Sequence, residues 1–324
     1  MAYEEIAAID FNTVTIRHSC SFGNDLSMLY AIPKSELDGC TDIKLIVRKD
    51  TYNGNTPSGT AEIILSPKEY TINGVSYYRF DYSKLHAKEL GDTLTATLSF
   101  TRDGDEYSGQ VDTYSLKEYA LERLGASSDA KFKTLLTELL NYGAASQVYF
   151  GYRTDALVNA GIDGSFARGG YDAITGTEPG EDTGEYPASI KASNILFGNK
   201  ITLLAATSFA KDSDLSGVSL RIRYTDRYGT KTEKFIDSSA FIYRDDVVGY
   251  TAYFDGLKAS EFRTVMELTL IKGGNDISKT VKYSLDTYAK NRLKSSEDAN
   301  FRALLEKTLI YSDSAKDYFA QLYS

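Results

Sequence analysis

The chain of 324 residues has no tryptophan, two cysteines, two histidines and five prolines. With only Cys20 and Cys40 there is no C-x-x-C pair, and His18 and His86 do not complete a zinc-site spacing. No metal and no cofactor is therefore expected. The two thiols leave a disulfide open in an oxidising compartment, although Cys20, on the apolar side of a strand pattern, reads better as a buried thiol. No run approaches about 18 uninterrupted apolar residues. The longest candidate, 195–207, is broken by Asn199 and Lys200, so membrane insertion is not expected. Basic residues number 36 against 45 acidic, a formal charge of −9. Such a surface repels a phosphate backbone, which argues against a nucleic-acid partner. Met1–Glu5 lacks the basic and apolar stretches of a signal peptide, which fits a cytosolic chain or a piece of a secreted one.

What is abundant is tyrosine, at 25 residues, and internal similarity. Tyr114-Ser115-Leu116-Lys117-Glu118-Tyr119-Ala120 returns as Tyr283-Ser284-Leu285-Asp286-Thr287-Tyr288-Ala289. The match runs without a gap to Tyr149-Phe150 against Tyr318-Phe319, with roughly 17 of 37 positions identical, far above chance. Upstream, Phe80-Asp81 answers Phe254-Asp255, and 85–90 answers 257–262. The chain is a tandem repeat. Lobe 1 is placed at 1–160, a Gly- and acid-rich linker at 161–185, and lobe 2 at 186–324.

Within each lobe the apolar period changes once. Val14, Ile16, His18, Cys20 and Phe22 alternate with polar residues, as do Ile43, Leu45, Val47 and Leu94, Ala96, Leu98, Phe100. Val218, Leu220, Ile222, Tyr224 and Met266, Leu268, Leu270 do the same in lobe 2. Turn signals at Asn53-Gly54, Asn73-Gly74, Asp103-Gly104, Tyr228-Gly229 and Gly273-Gly274 separate the strands. Later the period becomes 3.6. Ser115 and Glu118 form a capping box before Leu116, Tyr119, Ala120 and Leu124, and a second helix carries Phe132 to about Phe150. The expected fold is a β-rich α+β one: two tandem antiparallel (Ig-like) β-sandwiches, each followed by a packed α-helical hairpin.

The segment 139–152, Leu139-Leu140-Asn141-Tyr142-Gly143-Ala144-Ala145-Ser146-Gln147-Val148-Tyr149-Phe150-Gly151-Tyr152, together with Tyr114-Ser115-Leu116…Tyr119-Ala120, resembles a known signature. It is similar to that of sandwich-plus-helices modules in surface, cellulosome- or amylosome-type proteins of anaerobic gut bacteria. The doubled form resembles the two-lobed starch-binding domain of starch adherence system proteins. Lobe 2 departs from the signature where Asn141-Tyr142-Gly143 becomes Ile310-Tyr311-Ser312. The resemblance implies non-catalytic glycan binding by a monomeric part of a larger multimodular protein, secreted or displayed at the cell surface. The leader would then lie outside this chain. The ligand it implies is polysaccharide: starch, amylopectin or maltooligosaccharides.

Catalytic constellations are poor. His18 falls on an apolar strand face and reads as a core histidine, and His86 as a solvated loop residue. There is no G-x-S-x-G elbow. Gly273–Thr280 lacks the glycine a phosphate loop needs before its lysine and joins strand to strand. Asp212–Gly217 opens like a calcium loop but has Arg223 in place of the closing glutamate, so an Asx-rich turn is favoured. No carboxylate pair stands out, and the chain is not expected to be an enzyme.

Tyrosine remains. The face of a sugar ring packs on an aromatic face, a contact worth on the order of 1 kcal/mol by analogy with other aromatic pairs. The repeated tyrosines (114/283, 119/288, 142/311, 149/318) and Tyr224 read as scaffold. Tyr52 and Tyr228 sit at hairpin tips, while Tyr152, Phe166 and Tyr171 lie at the junction with Arg153, Asp155, Arg168 and Asp172. These nine are the candidate ligand-binding residues of a groove between two lobes, with aromatics for ring faces and charged groups for hydroxyls. The opposing reading is that the junction residues staple the linker down. The rival function is a structural or adhesive spacer without glycan binding.

Overall fold

The computed structural model describes residues 14–22, 26–174, 184–226 and 229–322. The fold is β-rich, with four antiparallel sheets and four α-helices. The first repeat contributes β1 (Arg17–Phe22), β2 (Leu26–Pro33), β3 (Thr41–Asn53), β4 (Thr56–Leu65), β5 (Lys68–Ile72), β6 (Val75–Tyr82), β7 (Leu94–Arg102) and β8 (Asp105–Tyr114), then α1 (Leu116–Ala126) and α2 (Ala130–Phe150). The second contributes β9 (Ile190–Phe197), β10 (Ile201–Thr207), β11 (Val218–Thr225), β12 (Lys231–Asp237), β13 (Ile242–Arg244), β14 (Gly249–Leu257), β15 (Val265–Lys272), β16 (Asn275–Asp276) and β17 (Val281–Ser284), then α3 (Leu285–Ser295) and α4 (Ala299–Leu322).

The repeat seen in sequence is a repeat of topology. One sheet of the first repeat runs β1-β2-β6-β5 and its counterpart β9-β10-β14-β13. The other runs β4-β3-β7-β8, matched by β12-β11-β15 with both β16 and β17 on β15. The single strand β8 is thus split in its second copy. Between the two pieces Ile277 N–H donates to Leu270 O (2.8 Å) and Ser278 Oγ accepts from Leu270 N–H (2.8 Å), so both backbone groups of Leu270 stay satisfied through the break.

Alternation explains the strands. Met28, Tyr30 and Ile32 of β2 are buried, as are Phe80 and Tyr82 of β6 and Leu94, Ala96, Leu98 and Phe100 of β7. Register follows: Leu45 pairs with Leu98 and Val47 with Ala96, so these apolar residues share one face, which also carries Lys49 opposite Leu94 and Asp112 opposite Ala96. Asn73-Gly74 and Asp103-Gly104 both have positive φ (49° and 77°; 52° and 90°), the two-residue turn whose twist suits a hairpin. In the second repeat, buried residues of both sheets (Leu203, Ala205, Ala252; Leu220, Ile222, Leu268) and of both helices (Leu285, Tyr288, Leu305, Leu309) belong to one hydrophobic cluster.

The helix starts are duplicated too. Ser115 N–H donates to Glu118 Oε2 (2.7 Å) and Glu118 N–H to Ser115 Oγ (3.2 Å), the expected capping box. Ser284 Oγ accepts from Thr287 N–H (3.1 Å) at α3. Asp129 Oδ1 caps α2 and Asp298 Oδ1 caps α4, each accepting two backbone N–H groups. Among the described residues no helix is long and apolar enough to cross a membrane.

In space the chain forms two compact units, Met1–Ala126 with Ser146–Ile162, and Ser127–Ala145 with Asp163–Ser324. The boundaries read from sequence, 1–160 and 186–324, keep α2 whole, whereas the spatial grouping assigns 127–145 to the second unit. Side-chain packing explains that grouping. Tyr142 and Tyr311, equivalent positions of the two repeats, stack within the second unit with centroids 5.6 Å apart, and Phe132 meets Tyr318 at 5.2 Å. Part of the linker, 175–183, lies outside the described residues.

Candidate functional site

The nine candidate residues divide between the units. Tyr52, Tyr152, Arg153 and Asp155 belong to the first, and Phe166, Arg168, Tyr171 and Asp172 to the second. Tyr228 lies outside the described residues.

In the first unit α2 ends in a reversal at Gly151 and Arg153, both at positive φ, and the chain turns back over the tip of the β3–β4 hairpin. Arg153 N–H donates to Gly54 O (3.0 Å) and Thr154 N–H to Asn55 Oδ1 (2.8 Å). Gln147, buried on α2, accepts from Val158 N–H at 2.7 Å and holds the far side of the loop. Tyr152 is thereby enclosed at 6% exposure, and its hydroxyl donates to Asp92 Oδ2 at 2.6 Å. Burial, with the Asp92 carboxylate second, raises its pKa far above the usual phenol range. Lys88 Nζ lies 5.3 Å from its ring centroid and the Tyr52 ring meets it edge-on at 5.9 Å. The expectation that Tyr152 offers a stacking face is corrected: the ring is a fastener. Tyr52 is half-buried, with the Arg153 guanidinium 4.5 Å from its ring centroid. Arg153 is itself bound to Asp92 (2.8 Å), and buried Lys49 bridges Glu89 (2.7 Å) and Asp92 (3.5 Å). Asp155 is exposed.

In the second unit the residues 163–172 are pinned to helices. Arg168 N–H donates to the buried Glu138 Oε1 (2.7 Å), and its guanidinium reaches Asp317 (2.5 Å) and Asp172 (2.6 Å). Asp172 N–H donates to Asp313 Oδ2 (2.7 Å), and Lys133 Nζ lies 4.6 Å from the Phe166 centroid. Arg263 completes the arrangement, bound to Asp313, to Asp286 (2.9 Å) and to Asp172 O (2.8 Å). For Phe166, Arg168 and Asp172 the linker-stapling reading therefore describes what the side chains do. Tyr171 is left at the surface, 37% exposed.

The other sequence candidates resolve locally. His18 Nδ1 lies 3.0 Å from Asp112 Oδ2 while its ring stacks on Tyr114 at 3.6 Å, so the histidine ties β1 to β8. His86 is not the solvated loop residue expected: it is half-buried and starts a short turn, its N–H donating to Glu89 Oε2 (3.3 Å). Cys20 and Cys40 are free thiols, and burial pushes Cys20 up to about 12. Asp214 Oδ1 accepts from Ser216 N–H (2.9 Å), an Asx turn. Among the described residues no cluster of three or more His, Cys, Asp or Glu is arranged to hold a metal. The repeated tyrosines 114, 119, 142, 288 and 311 are buried.

The aromatic surface that reasoning from sequence missed lies on the sheet β1-β2-β6-β5. Its inner face carries Met28, Tyr30, Ile32 and Phe80; its outer face carries exposed apolar side chains. There Tyr70 of β5, 45% exposed, is the cross-strand partner of Tyr77 on β6, and Ile72 partners Val75 beside them, both exposed. The next row is cationic, with Lys68 opposite Arg79, Arg79 opposite Ala31, and Ala31 opposite Arg17. Arg79 lies 5.1 Å from the Tyr70 centroid, and Arg17 Nη1 donates to the Tyr77 hydroxyl at 3.3 Å. Asp81 accepts from Lys68 (2.9 Å) and Arg79 (3.0 Å). Burial by itself would raise the Asp81 pKa, but these bonds hold it below the usual carboxylate range. The Asn73-Gly74 turn already specified the Tyr70–Tyr77 register. Which face of the strand met solvent was the missing fact.

No protein-family model matches this chain, and no curated protein matches it.

Proposed function

We propose that the chain is a non-catalytic glycan-binding protein built as two tandem Ig-like β-sandwiches with helical hairpins. The observation that carries the reading is the cross-strand pair Tyr70–Tyr77 on the outer face of a β-sheet, the first exposed and the second half-buried. Adjacent strands lie about 4.8 Å apart, so the two phenols lie close enough to meet one saccharide, with their hydroxyls and the neighbouring Arg79 and Arg17 beside it for hydrogen bonds. Tyr152, enclosed in the first unit, does not contribute, and Tyr171 remains as a separate exposed ring. The α-1,4-glucan ligand, the secreted or surface setting and the larger multimodular protein rest on the resemblance described above. Repeating ligand lets weak contacts add through effective concentration. For the two-sandwich architecture, the support is the shared cluster that joins both sheets and both helices of the second repeat.

Affinity electrophoresis through amylopectin, cellulose and xylan tests the function. Retardation by amylopectin that Tyr70→Ala/Tyr77→Ala reduces about tenfold, roughly 1.4 kcal/mol, is the expected outcome. A chain retarded by none of these glycans and by no acidic glycan is a spacer, and release of reducing sugar makes it an enzyme.

A further inference from the structure

The outward positions of β1, β2, β6 and β5 carry three cations, Arg17, Lys68 and Arg79, against one anion, Asp81. This excess stands on a chain whose formal charge is −9. The cations are collinear: the register places Lys68, Arg79, Ala31 and Arg17 in a single row crossing four strands, so they span about 14 Å at ordinary strand spacing. Lys68 and Arg79 share Asp81. Arg17 has no carboxylate partner among the described residues, and its guanidinium is spent only on the Tyr77 ring and hydroxyl. Beside this row lies the row of Tyr70 and Tyr77, and beyond it the exposed Ile72 and Val75.

A neutral glucan would use the tyrosines and leave the cations to water. A chain with a carboxylate on its sugars would use both rows. Its ring faces would cover the phenols while its carboxylates met the guanidinium groups in charge-assisted bonds, about twice as strong as neutral ones. We propose that this outer face selects uronate-bearing, acidic polysaccharide, with Arg17 as the residue that sets the preference. The inference rests on the reading that this face binds glycan and names the ligand class. Charges farther away than the Debye length of about 8–10 Å are screened at physiological salt, so the row acts locally in spite of the net negative charge.

The test is affinity electrophoresis and calorimetry of the full chain with polygalacturonate and with amylopectin as separate arms. Polygalacturonate should retard the wild type, and added salt should weaken that retardation. Arg17→Gln/Lys68→Gln should lower the ratio of polygalacturonate to amylopectin affinity by about tenfold, with the thermal midpoint as a check that the variant is folded. Amylopectin binding without polygalacturonate binding overturns this inference and leaves the proposed function standing. Binding to neither overturns both. Polygalacturonate binding that the double variant does not change removes the row from the site. Binding to phosphatidylserine vesicles but not to polygalacturonate makes the ligand a lipid surface and overturns the inference.

Discussion

Both repeats build a charge cluster on the turn that leads into β7 or β15, from neighbouring rather than equivalent positions and with opposite polarity. In the first repeat the turn before β7 presents an acid, Asp92, at 3% exposure, which receives Arg153, Lys49 and the Tyr152 hydroxyl. In the second the matching turn before β15 presents a cation, Arg263, which receives Asp286 and Asp313. The turn is common to both repeats, its backbone bonds Asp92 N–H to Glu89 O and Thr264 N–H to Glu261 O being equivalent, while the charges it carries are not. Burial demands a partner for each charge, but not a particular sign. The balance differs as well: Asp92 and Glu89 pair with two cations, whereas among the described residues Arg263 is the cation that bonds both acids, one of them, Asp313, wholly buried.

The largest effect should come from removing the cation that bonds both acids. Arg263→Gln leaves Asp286 and Asp313 buried without it and should cost about 3–5 kcal/mol, read as an early unfolding transition by calorimetry. A variant melting within a degree of wild type would show that solvent reaches the acids. Truncating the equivalent scaffold rings, Tyr119→Ala and Tyr288→Ala, should cost about 3 kcal/mol each and thus not distinguish the repeats. Unequal losses would mean that the two cores are packed differently. Tyr152→Phe removes one hydrogen bond to an acid that keeps Arg153 and Lys49, about 1–2 kcal/mol, and should leave amylopectin retardation unaltered. Lost retardation would restore Tyr152 to the binding surface.

The smallest effect is a pH dependence peculiar to the second repeat. Burial first, and Asp313 after it, hold the Asp286 carboxyl above its ordinary value against the pull of Arg263 and Lys316. The native state then binds a proton more readily than the unfolded chain, so this group's stabilising contribution is present at low pH. It is lost as pH rises from the ordinary aspartate value through the raised one. Asp286→Asn should flatten that slope in urea titrations and cost little at neutral pH, since Arg263 keeps Asp313. A slope unchanged by the substitution would assign it to other groups.

Much of the fold was legible because it depends on local patterns. Period-two runs, the capping box at Ser115 and Glu118, and the Asn73-Gly74 and Asp103-Gly104 turns each specify a backbone shape without reference to distant residues. The candidate site was less legible. Tyr152 looked like an exposed junction ring, yet Asp92 lies sixty residues away in sequence and only folding brings the two to 2.6 Å. Tyr70 and Tyr77 escaped notice because the strand Val75–Tyr82 has aromatics on both faces, and a shift of one residue exchanges the buried set for the exposed one.

The order of elements, the duplication and the hairpin registers follow from the amino-acid sequence alone, since short-range sterics and periodicity determine them. Tertiary structure decided which phenols are buried, which cations are paired with carboxylates, and which polarity each charge cluster took. Those properties depend on what covers a side chain, and the covering atoms come from parts of the chain remote in sequence.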